Sequence, residues 1–146
     1  MSSSDAAPAL PQPPELTANQ KRLVRETLFY IESHADQLAE TFYARLFKLD
    51  PKLRPLFKGD ITEQGRKLIG MIRTTIRSLD RMDEVKPNLQ LLGTSHRLIG
   101  VMDRDFDTFG EALLWALEQG LKNKFTADVK EAWQAVYAVL AAIVKG

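Results

Sequence analysis

The chain is expected to fold as an all-α domain, and three observations predict it. From Thr17 onward the apolar residues recur at helical spacing; no segment carries the β-branched alternation of a strand; and the helical stretches have unequal lengths with sharp corners between them, which does not suit a simple up-down bundle.

Residues 1–15, rich in Ser, Ala and Pro, have Pro8, Pro11, Pro13 and Pro14 against a helix and little to bury, so a disordered tail is expected there, with the folded domain over 16–146. Thr17 is placed to cap a first helix whose inward residues are Leu23, Val24, Thr27, Leu28 and Ile31. A second is expected from about His34 to Leu49, with Leu38, Phe42, Leu46 and Phe47 inward. Pro51 and Pro55 then break the period, so Asp50 to Gly59 reads as a corner with at most a short helical turn, and Phe57 within it points somewhere apolar. Asp60 and Glu63 form a capping-box pattern ahead of Leu68, Ile69, Ile72, Ile76 and Leu79, one helical face running to about Asp80. A shorter helix is expected from about Asp83 through Pro87 to Arg97, ending near Gly100. Two long ones follow, roughly Asp105 to Gly120 and Thr126 to Val144, burying Phe109, Leu113, Leu117, Val129, Trp133, Val136 and Leu140.

Composition narrows the function. At 146 residues there is room for one domain with a substantial core. A formal charge of +1, with both signs interspersed, leaves no electrostatic footprint for nucleic acid. Without cysteine there is no disulfide, thiolate nucleophile, cysteine-ligated cluster or covalent haem attachment. No secretory signal pattern or bilayer-length apolar run is present, so a cytoplasmic protein with no membrane partner is expected. No nucleophile–base pair, phosphate-binding glycine loop or carboxylate pair stands out, and Arg73, Arg77 and Arg81 read as a solvated basic stripe.

What remains is His96, one of two histidines, set in LLGTSHRLIGV. A histidine on an apolar helical face is more often a hydrogen-bonded core residue than a ligand. One imidazole cannot hold a bare metal tightly, but it can ligate an iron carried in a porphyrin, which brings four nitrogens of its own. Tyr43 falls among Phe42, Leu46 and Phe47, where a buried phenol has to donate to something, a backbone carbonyl or a cavity ligand. Gln64 precedes Leu68 by one turn and reads either as a solvent-facing first-turn residue or as a cavity-lining amide.

Together these residues resemble the globin signature: Pro51 with Phe57 six residues on, Gln64 with Leu68 four residues on, and His96 in a Leu-Gly-x-x-His-x-x-x-Gly-Val frame. The resemblance runs from about Thr17 to Lys145 and is strongest to single-domain bacterial globins of the Hell's Gate methanotroph type, and to neuroglobins in LLWALEQGL and FTADVKEAWQAVY. It implies a three-over-three helical sandwich enclosing one haem b. His96 would then be the proximal iron ligand and Phe57 would stack on the porphyrin, with Leu92, Val101 and Phe106 also against it. Lys67 and Arg66 would stand near the propionates. Tyr43, Gln64 and Leu68 would face a diatomic ligand, and Gly65 would meet Ala39 where two helices cross closely.

Two departures bear on function. Only seven residues separate Phe57 from Gln64, so the start of the distal helix is expected to be irregular. Flavohaemoglobin-type enzymes carry a tyrosine ten residues after the proximal histidine and a glutamate late in the last helix; here Phe106 takes the first position and no glutamate takes the second. The resemblance therefore implies a monomeric protein that binds O2, and also NO and CO, tightly and reversibly through Tyr43 and Gln64. The alternatives are nitric oxide dioxygenation with an external reductase and haem-based gas or redox sensing. A haem-free helical interaction module is the reading that remains if the resemblance misleads.

Overall fold

In the computed structural model, which describes residues 16–57 and 59–146, six α-helices form two layers of three. The tail assigned to residues 1–15 lies outside the described residues. The helices are α1 (Ala18–Glu32), α2 (Ala35–Leu49), α3 (Ile61–Arg77), α4 (Met82–Leu98), α5 (Asp105–Leu121) and α6 (Ala127–Lys145). Short 3-10 segments at Pro51–Leu56 and Lys122–Lys124 turn two of the corners. α1, α3 and α4 lie over α2, α5 and α6: α2 packs against both α3 and α5, while α6 carries α1 and α4. No strand occurs among the described residues.

The ends of the helices follow from their caps. The Thr17 hydroxyl accepts from the Gln20 amide, and the Gln20 side chain returns a bond to Thr17, so two orphan donors are satisfied reciprocally. Asp60 caps α3 through the Thr62 amide rather than the third-position amide of the expected box, with Glu63 left in the first turn to meet the helix dipole. α3 starts regularly at Ile61, capped by Asp60, so the irregular helix start expected from the short Phe57–Gln64 interval is not found.

Most of the predicted core is observed: Val24, Leu28, Ile31, Leu38, Phe42, Leu46, Ile69, Ile72, Ile76, Leu113, Leu117, Trp133 and Val136 are buried, each contributing roughly 1.5–3 kcal/mol on leaving water, whereas Leu23, Phe47 and Leu68, also expected inward, are half-buried. The Trp133 indole donates to the Thr27 hydroxyl at 2.9 Å, and that hydroxyl donates onward to the Leu23 carbonyl, so the α1–α6 contact buries its polar atoms in pairs. Of the basic stripe, Arg73 and Arg77 reach Glu32 on α1 and Arg81 pairs with Glu84.

α4 departs from expectation. It has 17 residues, as long as α3 and α5 where a shorter helix was expected; Pro87 lies inside it, as the sequence predicts, and forfeits one intrahelical bond. The apolar residues flanking His96 also divide. Leu89 and Gly93 are buried and Leu92 is half-buried, but Leu91 is 66% exposed and Leu98 83%, because α4 meets α6 along a single stripe.

Candidate functional site

Between the two layers lies an apolar slot walled by α2, α3, α4, α5 and α6. It gathers most of the residues singled out from sequence: Tyr43, Phe57, Gln64, Lys67, Leu68, Leu92, His96 and Phe106 all line it. Val101 does not. It is buried at the α4–α5 turn, and its amide donates to the His96 carbonyl at 2.9 Å, bracing the histidine's backbone. Arg66 is exposed on α3 beside the slot, whereas Lys67, also exposed, stands on its rim.

His96 enters from α4. Its Nδ1 lies 2.7 Å from the Leu92 carbonyl one turn earlier, and a carbonyl can only accept, so Nδ1 carries the proton. Nε2 is then the lone-pair nitrogen, the form of the imidazole that can ligate a metal. The Phe106 ring stands beside it at 6.5 Å between centroids.

Tyr43 and Gln64 come from α2 and α3, which cross where Gly65 meets Ala39. A Cβ on Gly65 would stand 2.6 Å from the Ala39 Cβ, far inside contact, so only glycine lets the helices approach this closely. That approach brings both polar side chains to the same slot. Tyr43 is 5% exposed and packs against Phe42, Phe47 and Phe57 with centroids 5.0, 5.9 and 5.7 Å away. Tyr43 lines the slot, and its hydroxyl donates to no backbone carbonyl among the described residues. Burial pushes the phenol up to about 12, so it keeps its proton as a donor throughout the physiological range. Gln64 sits in the first turn of α3, its amide bonded to the Asp60 carbonyl and its side chain on the slot.

Met71, Val144 and Tyr137 also line the slot and were not singled out from sequence. A signal for two of them was present: Trp133, Tyr137, Leu140 and Val144 recur along one stripe of α6 at spacings of four, three and four. A second, wider cleft lies between the α1–α2 corner and the end of α5. Its buried walls are Ile31, Leu38, Ala116 and Leu121; His34 and Lys122 on it are exposed and Thr41 is half-buried.

Among the described residues no three His, Cys, Asp or Glu side chains gather as metal ligands. One preset imidazole in an aromatic-walled slot fits a metal that arrives with most of its ligands, as in a planar macrocycle, because the protein then supplies one bond and apolar walls. The Lys67 ammonium at the rim suits an acidic substituent of such a group.

Fold and slot together define a globin-like helical sandwich, and the Globin family profile matches residues 40–144: the chain belongs to the globin family. Among curated relatives, it is 27% identical to the neuroglobin of Tetraodon nigroviridis, with 88% of this chain and 89% of that protein covered. It is 26% identical to the flavohemoprotein of Halalkalibacterium halodurans, of which it spans 31%, against 86% of its own length. Among solved structures, a putative nitric oxide dioxygenase from Rhodothermus marinus, engineered as a carbene transferase, superposes with a TM-score of 0.81 at 25% identity, covering 88% of this chain and 90% of that one. A hexacoordinated heme protein from an anhydrobiotic tardigrade gives the same TM-score at 17% identity, covering 88% and 92%, and so shares the fold. No helix among the described residues is long and apolar enough to cross a membrane.

Proposed function

We propose that this chain is a non-covalent haem b protein that binds dioxygen tightly and reversibly, with His96 as the axial ligand and Tyr43 and Gln64 as the donors on the other side of the slot. The observation that carries the reading is the pairing of a preset Nε2 on one wall with a buried, proton-bearing Tyr43 hydroxyl on the other, the latter without a protein acceptor among the described residues.

Haem, when bound, supplies the iron to which a diatomic gas coordinates. The chain does the rest. The Leu92 carbonyl holds the His96 tautomer. Phe57, Leu68, Leu92 and Phe106 exclude water from the slot, and Lys67 stands where a propionate would emerge. Tyr43 and Gln64 offer hydrogen bonds to a ligand that gains negative charge on binding, each worth roughly 1.5–3 kcal/mol, which slows escape. Gln64, a poorer iron ligand than a histidine, would leave the distal side of the slot to an incoming gas.

A second reading, nitric oxide dioxygenation with an external reductase, is favoured by the likeness to the putative nitric oxide dioxygenase and to flavohemoproteins. It uses the same slot. Sustained nitric oxide consumption with a cellular reductase supports it, whereas consumption that stops after one equivalent returns the protein to simple binding. The test of the primary reading is spectroscopic. Haem titration should give a Soret band of one equivalent per chain that His96→Ala loses or shifts, and the oxygen complex should dissociate slowly. An unchanged spectrum in His96→Ala refutes the ligand assignment.

A further inference from the structure

The Nδ1 of His96 is engaged only within its own helix, so what fixes the rotation of the imidazole has to come from packing. The ring next to it belongs to Phe106, and Phe106 is itself held. The Tyr137 hydroxyl, on α6, donates to the Phe106 carbonyl at 2.5 Å. Burial, reinforced by the Asp107 carboxylate, holds this phenol above its ordinary range, so the donor keeps its proton. The carbonyl lies in the first turn of α5 and has two lone pairs, enough for its helical bond and this one. Gly110 makes the contact possible, since a Cβ there would stand 2.8 Å from the Tyr137 ring, which lies against the α5 backbone in the gap.

α6 also seats the helix that carries His96. A Cβ on Gly93 would collide with the Val144 carbonyl oxygen, and the Arg97 guanidinium donates to the Lys145 carbonyl at 3.1 Å. α4 is thus pressed onto α6 three residues before His96 and tied to it one residue after, while Tyr137 ties the same helix to the start of α5. Tyr137, Val144 and Lys145 all lie in the second half of α6.

We propose that Tyr137 is a positioning residue for His96: by pinning the Phe106 backbone to α6 it holds the Phe106 ring against the imidazole and sets the angle at which Nε2 meets the slot. Flavohaemoglobin-type enzymes, as the resemblance has it, place a tyrosine at the position of Phe106. Here a hydroxyl from a different helix reaches the backbone of that same residue. The inference rests on the haem reading of His96.

The experiment uses the ferrous haem-loaded protein, with the iron–histidine stretching band read by resonance Raman and carbon monoxide association by flash photolysis. Tyr137→Phe, which keeps the ring and removes the bond, should shift or broaden the band and change the association rate several-fold. Phe106→Leu, which keeps the carbonyl that Tyr137 grips but removes the ring, should do the same, and it carries the test alone if Tyr137→Phe does not fold. Trp133→Phe removes a comparable buried bond at the α1–α6 contact, away from the slot, and should leave the band in place. A normal wild-type band that a folded Tyr137→Phe leaves in place, or that Phe106→Leu leaves in place, or a shift of equal size in Trp133→Phe, overturns the proposal. A wild type that takes up no haem overturns the haem reading and this inference with it.

Discussion

Replacing Gly65 by alanine tests whether the α2–α3 crossing sets the distal side of the slot. The new Cβ would stand 2.6 Å from the Ala39 Cβ, where two carbons in contact rest at about 3.5–4.0 Å, so the helices have to separate locally by about 1 Å. In an open helix the same substitution would gain about 1 kcal/mol, because glycine surrenders more backbone freedom than alanine. Overpacking of this kind costs about 1–3 kcal/mol, so Gly65→Ala should be neutral to destabilising by about 2 kcal/mol. Gly70 is the internal control: it lies on the same helix, a Cβ there meets nothing within 4 Å, and Gly70→Ala should stabilise. Denaturant unfolding of both variants reads the stability difference. The functional readout is oxygen dissociation, since Gly65 adjoins Gln64 and Ala39 lies one turn before Tyr43. Gly65→Ala should speed release, and adding Ala39→Gly should restore both stability and rate as a coupled pair. If Gly65→Ala stabilises as much as Gly70→Ala and leaves the release rate unchanged, the close crossing does not position the distal donors.

Tyr43→Phe and Gln64→Leu should each speed oxygen release by roughly ten- to 150-fold, the loss of one charge-assisted bond, measured by stopped-flow displacement with carbon monoxide; no change in either would remove the hydrogen-bonding argument. Alkaline stability should depend on Tyr43, which ionises near 10.0 in the unfolded chain but at about 12 in the fold. The folded state favours the protonated phenol, so this contribution is intact below the unfolded value and lost as pH climbs through the folded one. The upper bound is about 3 kcal/mol, and unfolding of the cofactor-free protein at about pH 9 and about pH 11 should show a loss that Tyr43→Phe reduces. Trp133→Phe should lower stability by about 1–3 kcal/mol by breaking the indole–Thr27 bond, seen as a lower melting temperature without change in the oxygen release rate.

The sequence was most legible where a local rule acts alone. Thr17 and Asp60 announce helix starts because a capping oxygen needs only the next few amides, and the buried stripe of Val129, Trp133, Val136 and Leu140 follows from helical period. It was least legible on α4. The apolar run around His96 suggests one inward face, yet Leu91 and Leu98 are exposed, since spacing cannot tell which of two apolar stripes will find a partner. The helix is expected from about Asp83 through Pro87 to Arg97, and it runs slightly further at both ends, with the packing of α4 on α6 tolerating the bond that Pro87 forfeits. Val101 is not among the residues lining the slot, and what the sequence could not show is that its amide braces the His96 carbonyl.

The site divides in the same way. His96, Tyr43 and Gln64 stand out in the sequence because a lone imidazole, a phenol and an amide among apolar neighbours each need a partner, and their spacing matches a known frame. Only the tertiary structure decided that the Leu92 carbonyl takes the Nδ1 proton and that Tyr43 lines the same slot as His96. Only it showed Tyr137 gripping Phe106 from α6. The first kind of information is one-dimensional: caps, period and residue chemistry act over one or two turns. The second depends on helix approach distances, governed at Gly65, Gly93 and Gly110 by contacts with residues 26, 51 and 27 positions away, which no local pattern encodes.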